Sequence, residues 1–170
     1  MRGLAWAGLT AFVLTACSRR PPPPLPEVSA ELLSDVQVAD PLAFVQLVGG
    51  FFEVEAKAWR WTAPKFTVVL HPPDGAGQKG ARLEFHFALP GNHVERLGPV
   101  QLSAAINGYA LPPETYTMSG QQVYERDVPA EVLRANAVAV DFSTDKALPP
   151  DGEDAREMAV VASRITLAPK

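Results

Sequence analysis

The stretch that decides the fold is Arg82-Leu-Glu-Phe-His-Phe-Ala-Leu89, in which apolar and polar residues alternate. Leu83 and Phe85 begin the apolar series, whereas Arg82 and Glu84 begin the polar series. Because successive side chains of a strand point to opposite faces of a sheet, this period of two predicts a strand with one buried face. The same alternation recurs at Val138, Val140 and Phe142 and at Val161, Ile165 and Leu167.

Short apolar runs extend this pattern over most of the chain. Seventeen prolines and twelve glycines divide the sequence, which favours short strands over long helices. The predicted strands are residues 43–48, 51–55, 58–62, 66–70, 82–89, 100–106, 122–126, 137–142 and 159–167. Asn107-Gly108 predicts a tight hairpin turn, and Pro129 at the start of residues 129–135 predicts one short helix. The predicted fold class is all-β: an antiparallel β-sandwich, jelly-roll-like, with one short helix.

Length and charge limit the classes of function. The chain has 170 residues, which suits a single globular domain. Its 15 basic and 19 acidic residues give a formal charge of −4, so no nucleic-acid partner is expected. A single cysteine excludes an internal disulfide and a multi-cysteine zinc site.

The N-terminus predicts an export signal, residues 1–16. Arg2 supplies a positive charge, and residues 4–14 form an apolar stretch that is too short to span a bilayer as a helix. The stretch ends in Leu14-Thr-Ala-Cys17, which resembles the lipobox of bacterial lipoproteins. The resemblance implies that Cys17 carries palmitate and other acyl chains and becomes the first residue of the mature protein. The alternatives are a signal peptide with an incidental cysteine and a buried N-terminal helix.

That resemblance also gives an expected location. It implies a lipid-anchored protein of the bacterial cell envelope, attached to the membrane through its N-terminal lipid. Ser18 follows the cysteine in place of Asp, which resembles the outer-membrane sorting pattern of enteric bacteria.

A Pro-rich segment separates the anchor from the predicted domain. The run Pro21-Pro-Pro-Pro-Leu-Pro26 favours an extended polyproline II conformation. Residues 17–40 are therefore predicted to be a tether that holds the β-sandwich, residues 41–170, away from the bilayer; at about 3.1 Å per residue it would reach roughly 70 Å. The alternative is that Pro21 and Pro24 form a P-x-x-P ligand for an SH3-like domain.

Short motifs in the rest of the chain resemble the jelly-roll, galactose-binding-like accessory domains found beside bacterial glycosyltransferases. They are Gly50-Phe-Phe-Glu53, Trp59-Arg-Trp-Thr62, Ile106-Asn-Gly108, Asp127-Val-Pro129 and the segment 149–157. The resemblance departs at Met158-Ala159, where such domains have Leu-Gly. It implies a β-sandwich and an involvement with sugars.

Three residues are candidates for ligand binding. Trp59 and Trp61 are two positions apart, so on a strand their rings face the same way, either as a platform for sugar rings or as a pair of core residues. Arg156 follows a polar turn and precedes an apolar strand. It either lines a ligand groove or pins the last loop to the sheet. Asp154 is the nearest carboxylate in sequence, and the resemblance implies that Trp59 or Trp61 is the ring beneath it.

The sequence contains one acidic loop that could bind a metal and no catalytic motif. Asp151, Glu153 and Asp154 are close in sequence, which makes Asp151 and Asp154 weak calcium candidates or else part of a solvated acidic turn. Three scattered histidines and the absence of a catalytic motif predict no metal, no cofactor and no enzyme. The leading hypothesis is a non-enzymatic envelope lipoprotein whose sandwich binds a glycan or an envelope protein. The alternatives are an assembly subunit of an envelope complex that binds no sugar, and a small hydrolase.

Overall fold

The computed structural model describes residues 31–170, so the export signal, Cys17 and the proline run lie outside the described residues. The described chain contains β1 (Asp35–Gln37), β2 (Leu47–Glu55), β3 (Trp59–Leu70), α1 (Ala76–Lys79), β4 (Ala81–Leu89), α2 (Gly91–Leu97), β5 (Val100–Ile106), β6 (Tyr109–Tyr116), β7 (Gly120–Val128), β8 (Val138–Thr144) and β9 (Val161–Pro169). Short 3-10 turns occupy Pro41–Val45 and Ala130–Val132. Within residues 31–170, no helix is long and apolar enough to cross a membrane.

The strands form an antiparallel β-sandwich, as predicted. Their order is β6-β5-β8-β3-β9-β4-β7, with β1 paired to β9 and β2 paired to β3. Strand β3 belongs to both layers, because Lys65–Leu70 pairs with β8 whereas Arg60 and Trp61 pair with β9. One layer is therefore β6-β5-β8 with the second half of β3, and the other is β9-β4-β7.

Aromatic rings from the two layers meet in the core. The ring centroid of Phe142 on β8 lies 5.0 Å from that of Phe66 on β3 and 4.9 Å from that of Phe85 on β4. All three side chains are at most 2% exposed. The apolar series that begins with Leu83 is buried along its whole length, which confirms the predicted half-buried strand.

Side chains of β7 close one side of the sandwich by binding the backbone of β6. The buried Tyr124 hydroxyl donates to the Pro112 carbonyl at 2.8 Å, and Arg126 donates to the Pro112 and Pro113 carbonyls at 2.8 and 3.0 Å. Burial raises the pKa of Tyr124 to about 12, so its hydroxyl remains a donor at neutral pH. Strand β6 is absent from the predicted strands because its two prolines indicate a break between strands. Proline is tolerated within a sheet only at an edge, and β6 is an edge strand.

Local patterns predict several elements correctly. The predicted strand 100–106 has the bounds of β5, and the hairpin turn is confirmed because Asn107 and Gly108 have φ of 47° and 83°. The predicted strands 58–62 and 66–70 are halves of one strand, β3.

Other elements differ from the prediction. The first half of the predicted strand 43–48 lies in the 3-10 turn Pro41–Val45, because Pro41 and the cap at Asp40 favour a turn, and β2 begins at Leu47. The helix predicted over residues 129–135 is reduced to the 3-10 turn Ala130–Val132, whereas α1 and α2 were not predicted.

The boundary between tether and domain at residues 40 and 41 is wrong. Strand β1 pairs with β9, and Val36 and Val38 are 2% and 0% exposed. The amide of Gln46 accepts from the backbone N–H of Leu33 at 3.1 Å and donates to its carbonyl at 2.9 Å. The domain therefore includes Leu33, and a three-residue strand was too short for its alternation to be recognised in the sequence.

Val38→Ala is expected to lower the free energy of unfolding by about 1–3 kcal/mol, because it removes two buried methyl groups and leaves a cavity. Val48→Ala makes the same change at a side chain that is 63% exposed, so it should cost less than about 0.5 kcal/mol. Urea unfolding followed by tryptophan fluorescence measures both. Equal effects of the two substitutions would contradict the inclusion of residues before 41 in the sandwich.

Candidate functional site

The outer face of the β9-β4-β7 layer carries charges that pair with one another. Arg82 lies 3.0 Å from Glu125, and the guanidinium of Arg164 donates two hydrogen bonds to Asp35, at 2.7 and 2.5 Å. Hydrogen bonds from Arg164 lower the pKa of the Asp35 carboxyl, which keeps this pair ionised. We call this surface the charged face. Because its charged groups already have partners, it offers few unused groups to a ligand.

The outer face of the other layer contains a trough of about 590 Å³. The trough is lined by Lys65, Phe66, Thr67, Ser103, Ala104, Ala105, Ala110, Leu111, Pro113, Asp141, Phe142 and Ser143. The residues at its centre have short side chains, so the floor lies close to the backbone of the sheet. It is larger than the cavity of about 390 Å³ that Arg82, Glu125 and Asp127 line.

Strand register arranges the side chains of the trough in two rows. Lys65 on β3 is paired with Ser143 on β8, which is paired with Ser103 on β5. The second row joins Thr67, Asp141 and Ala105 in the same order, and Ala105 is paired with Ala110 on β6. Neighbouring strands are about 4.8 Å apart, so each row presents a side chain at that interval. The intervening residues of β3 and β8 are Phe66 and Phe142, which are buried in the core.

The polar groups of the trough keep unused hydrogen-bonding capacity. Thr67 Oγ1 donates a hydrogen bond to Asp141 Oδ1 at 2.7 Å. The second carboxylate oxygen, Asp141 Oδ2, can accept a hydrogen bond from a ligand. Lys65 and Asp141 are both exposed, and the two serines are half-buried. Serine and threonine hydroxyls donate and accept, the carboxylate accepts and the ammonium donates. The trough can therefore bind a ligand that carries both kinds of hydrogen-bonding group.

The predicted tryptophan pair lies at the other end of β3 and is half-buried. The rings of Trp59 and Trp61 contact each other edge to face with centroids 6.2 Å apart. Trp61 also stacks on His93 of α2 at 5.7 Å with an interplanar angle of 19°. The two rings do face the same way, but one face of Trp61 is covered by protein. Ligand binding by this pair stays a prediction.

His93 is buried by its packing on Trp61. Its side chain is 0% exposed, and neither ring nitrogen has a hydrogen-bond partner of good geometry among the described residues, although the backbone of Met158 and Ala159 is close. Burial lowers the pKa of the imidazole, and the nearby Arg96 lowers it further. The neutral ring packs on Trp61 and thereby holds α2 against β3.

Arg156 joins the last loop to the β2–β3 hairpin. It binds Asp154 through Nε to Oδ1 at 2.9 Å and Nη2 to Oδ2 at 2.6 Å, and Nη1 donates to Glu55 Oε1 at 2.9 Å. These bonds lower the pKa of the Asp154 carboxyl to about 2. The expected carboxylate is observed, but the expected ring is wrong, because Arg156 Cζ lies 5.2 Å from the ring of Phe52.

The two weak calcium candidates use their oxygens within the loop. Asp151 Oδ1 accepts the backbone N–H groups of Glu153 and Asp154, at 3.1 and 2.9 Å. The carboxylate of Asp154 is neutralised by Arg156. Over residues 31–170, no group of three or more His, Cys, Asp and Glu side chains is placed to hold a metal ion.

Sequence reasoning missed the trough. The short outward residues of β3, β5 and β8 are a signal of a shallow surface, but each is ordinary by itself. Only the pairing of strands that are distant in sequence brings Lys65, Asp141 and Ser103 to one face. That pairing cannot be read from local alternation.

No protein-family model matches the chain, and no curated protein is significantly similar to it in sequence. Among solved structures, a carbohydrate-binding module of class CBM36 in complex with calcium and xylotriose is similar, with 9% identity, a TM-score of 0.44, and coverage of 80% of this chain and 100% of that chain. The CBM51-2 and INT domains of Clostridium perfringens ZmpB are 12% identical with a TM-score of 0.36; the likeness covers 79% of this chain and 28% of that chain. In each case the similarity to this chain lies in the overall arrangement of the strands.

Arg156→Lys is expected to lower the free energy of unfolding by about 1 kcal/mol, because an ammonium group cannot reproduce the bonds to two carboxylates. The effect is modest because the Arg156 side chain is 31% exposed and water weakens both ion pairs. Arg134→Lys, at an exposed position, is the control. Denaturant unfolding measures both. An unchanged midpoint for Arg156→Lys would contradict a role of Arg156 in holding the last loop to the hairpin.

His93 should make the stability depend on pH. The imidazole has a lowered pKa in the folded chain and an ordinary value of 6.5 when unfolded, so the unfolded chain binds more protons as the pH falls. The stabilisation from neutral His93 is complete above about pH 6.5 and is lost progressively below it. His93→Phe should reduce the difference between the urea midpoints at about pH 7.5 and pH 5.5.

His86→Gln is the matched control for this measurement, because the His86 side chain is 36% exposed on the charged face. It should leave most of the pH dependence in place. If His93→Phe and His86→Gln change the dependence equally, the burial of His93 is not its cause.

Proposed function

We propose that this chain is a non-enzymatic lipoprotein of the bacterial cell envelope whose β-sandwich binds a glycan in the trough. The observation that carries the proposal is the pair of side-chain rows across β3, β8 and β5, in which hydroxyls, one ammonium and one carboxylate line an open surface. A glycan chain presents hydroxyl groups at regular intervals along its length. The two rows match that kind of ligand.

The chemistry of the trough fits an uncharged or weakly charged sugar chain. Ser103, Ser143 and Thr67 can exchange hydrogen bonds with sugar hydroxyls, and Asp141 can accept from them. The methyl group of Ala105 and the ring of Pro113 offer apolar surface to the C–H faces of a sugar ring. Because the trough is an open surface, it suits an internal stretch of a long chain better than an enclosed small molecule.

The charged face is a poorer candidate for the same role. A ligand there would displace water from ion pairs such as Arg82–Glu125 and compete with bonds already made. Desolvating paired charges is costly unless the ligand replaces their interactions. The trough limits this cost, since Lys65 and Asp141 are its two charged lining residues and its other lining side chains are neutral.

The trough supports binding better than glycoside hydrolysis. Hydrolysis of a glycosidic bond usually uses two carboxylates that face each other across the substrate. Among the described residues that line the trough, Asp141 is the one carboxylate, and it accepts a hydrogen bond from Thr67. This arrangement can hold a sugar chain but does not supply a paired acid and base.

The lipid anchor completes the proposed role. The Leu14-Thr-Ala-Cys17 motif supports acylation at Cys17, and two or more acyl chains hold a protein stably in a bilayer. Anchored in this way in the outer membrane, the sandwich would hold an envelope glycan close to the membrane. The alternative role is an assembly subunit of an envelope complex whose partner is a protein and not a sugar.

Retention of the purified, acylated full chain on glycans tests the proposal. The probes are insoluble peptidoglycan sacculi, purified lipopolysaccharide, xylan and a neutral glucan, each used in co-sedimentation or affinity electrophoresis. Ala105→Arg should weaken retention on the probe that binds by at least about tenfold, because the long side chain fills the second row; tenfold corresponds to about 1.4 kcal/mol. Asp141→Asn should weaken it less, since it keeps the shape.

Val123→Arg is the matched control, because Val123 lies opposite His86 on the charged face and is 42% exposed. It should change retention by less than about twofold, within the ordinary effect of a surface substitution. Retention that is equally sensitive to Ala105→Arg and Val123→Arg, or insensitive to both, would contradict binding in the trough. The absence of retention on every probe would favour the assembly subunit.

A further inference from the structure

Exposed apolar side chains concentrate where the chain enters the sandwich. Over the described residues, the large apolar side chains that are exposed are Leu33, Leu42, Phe44, Val48, Tyr109, Met118 and Val123. The first four fall within residues 33–48 and are 53%, 61%, 66% and 63% exposed. We call these four residues the entry patch. Single exposed apolar residues need no explanation, but Leu33 and Leu42 line one groove and Phe44 lies on the same turn as Leu42. Exposed apolar side chains that lie together mark a surface that contacts another apolar phase.

The 3-10 turn Pro41–Val45 forces two residues of the entry patch outward. Ala43 and Gln46 are three positions apart and therefore lie on the same side of a 3-10 turn. They are buried at 5% and 2% exposure, so Leu42 and Phe44 project on either side of the buried edge. The Asp40 carboxylate accepts the Leu42 N–H at 2.7 Å and fixes the start of the turn. The backbone of the turn therefore determines that Leu42 and Phe44 are exposed, whichever rotamers their side chains adopt.

The patch is held firmly on the sandwich. Besides its two bonds to Leu33, the buried amide of Gln46 donates to the Val69 carbonyl at 2.8 Å. Beside it lies a groove of about 340 Å³ that Leu33, Leu42 and other residues line. An apolar surface on a rigid support loses little conformational entropy when it is covered, which favours docking.

We propose that the entry patch docks on the lipid bilayer that holds Cys17. The proposal rests on the lipid anchor of the proposed function. Cys17 precedes Glu31, the first described residue, by 31 − 17 = 14 positions. A fully extended chain of that length spans at most about 50 Å, which keeps Glu31 within that distance of the anchor. The patch begins two residues later, so the anchor keeps it within reach of the membrane at a high effective concentration.

Charge specifies the kind of bilayer surface. The groove beside the patch is also lined by Glu31, Asp35 and Asp40. Asp35 is neutralised by Arg164, but Glu31 and Asp40 add negative charge near the patch. Attraction to anionic lipid is therefore not the driving force, and we expect insertion of Leu42 and Phe44 between zwitterionic headgroups with little dependence on salt. No residue of the entry patch is among the residues that line the trough.

A fluorophore at position 44 tests the proposal in the full, acylated chain. Cys17 is the one cysteine of the sequence and its thiol is blocked by acylation, so Phe44→Cys supplies a unique thiol for the environment-sensitive dye NBD. The labelled protein is reconstituted into dioleoylphosphatidylcholine vesicles with and without doxyl-labelled phosphatidylcholine. Met118→Cys, at a side chain that is 71% exposed and distant in sequence, is the matched control.

Docking predicts blue-shifted emission at position 44 that doxyl lipid quenches by about half or more, and neither change at position 118. Leu42→Asp in the Phe44→Cys background should abolish the quenching, since burying a carboxylate in the bilayer is costly. Equal quenching at 44 and 118 would overturn the proposal. A blue shift without quenching would also overturn it and show that the patch is covered by protein, for example by a second copy of the chain.

Vesicle flotation distinguishes a failure of docking from a failure of the lipid anchor. Protein that floats with the vesicles while position 44 remains unquenched retains its anchor, and only docking is wrong. Protein that does not float lacks the anchor, and both the anchor and the docking are then wrong. Glycan retention through the trough is measured independently of either result.

Discussion

Strand β3 is the constraint on which the rest of the structure depends, because it is shared by the two layers of the sandwich. Its first half pairs with β9 at Arg60 and Trp61, and its second half pairs with β8 over Lys65–Leu70. This sharing brings Phe66 against Phe85 of the opposite layer at 5.5 Å. It also fixes the position of both candidate sites, since the tryptophan pair lies on the first half and one wall of the trough lies on the second.

The sequence predicts what local alternation and turn chemistry determine. The strand at residues 82–89, the bounds of β5 and the turn at Asn107-Gly108 follow from period and propensity alone. Strand β6 was missed because its two prolines indicate a break in the local sequence, whereas its place at the sheet edge, where proline is tolerated, is set by pairing with β5. The trough was missed for a related reason: its rows exist only when β3, β8 and β5 pair in a particular register, and register is a property of the whole fold.

The contacts of Arg156 also differ in whether they could be predicted from the local sequence. Asp154 was identified as the partner of Arg156 because the two are close in sequence, whereas Phe52 and Glu55 are reached only through the β2–β3 hairpin. The charged face, the trough and the entry patch also differ in how many of their polar and apolar groups already have partners within the protein. The charged face pairs its own ions, the trough leaves hydrogen-bonding groups unused, and the entry patch leaves apolar area uncovered. Groups without partners identify the surfaces where the molecule can gain most by binding.

The most direct test of the account maps a bound sugar onto the strands. Backbone amide shifts of isotope-labelled protein would be followed while a soluble oligosaccharide, released from the polysaccharide that retains the protein, is added. Binding in the trough predicts that the largest shifts fall on Lys65–Thr67, Ser103–Ala105 and Asp141–Ser143, with small changes on β4 and β7. Largest shifts around Trp59, Trp61 and Arg156, with an unchanged trough, would contradict it and return the ligand site to the tryptophan pair.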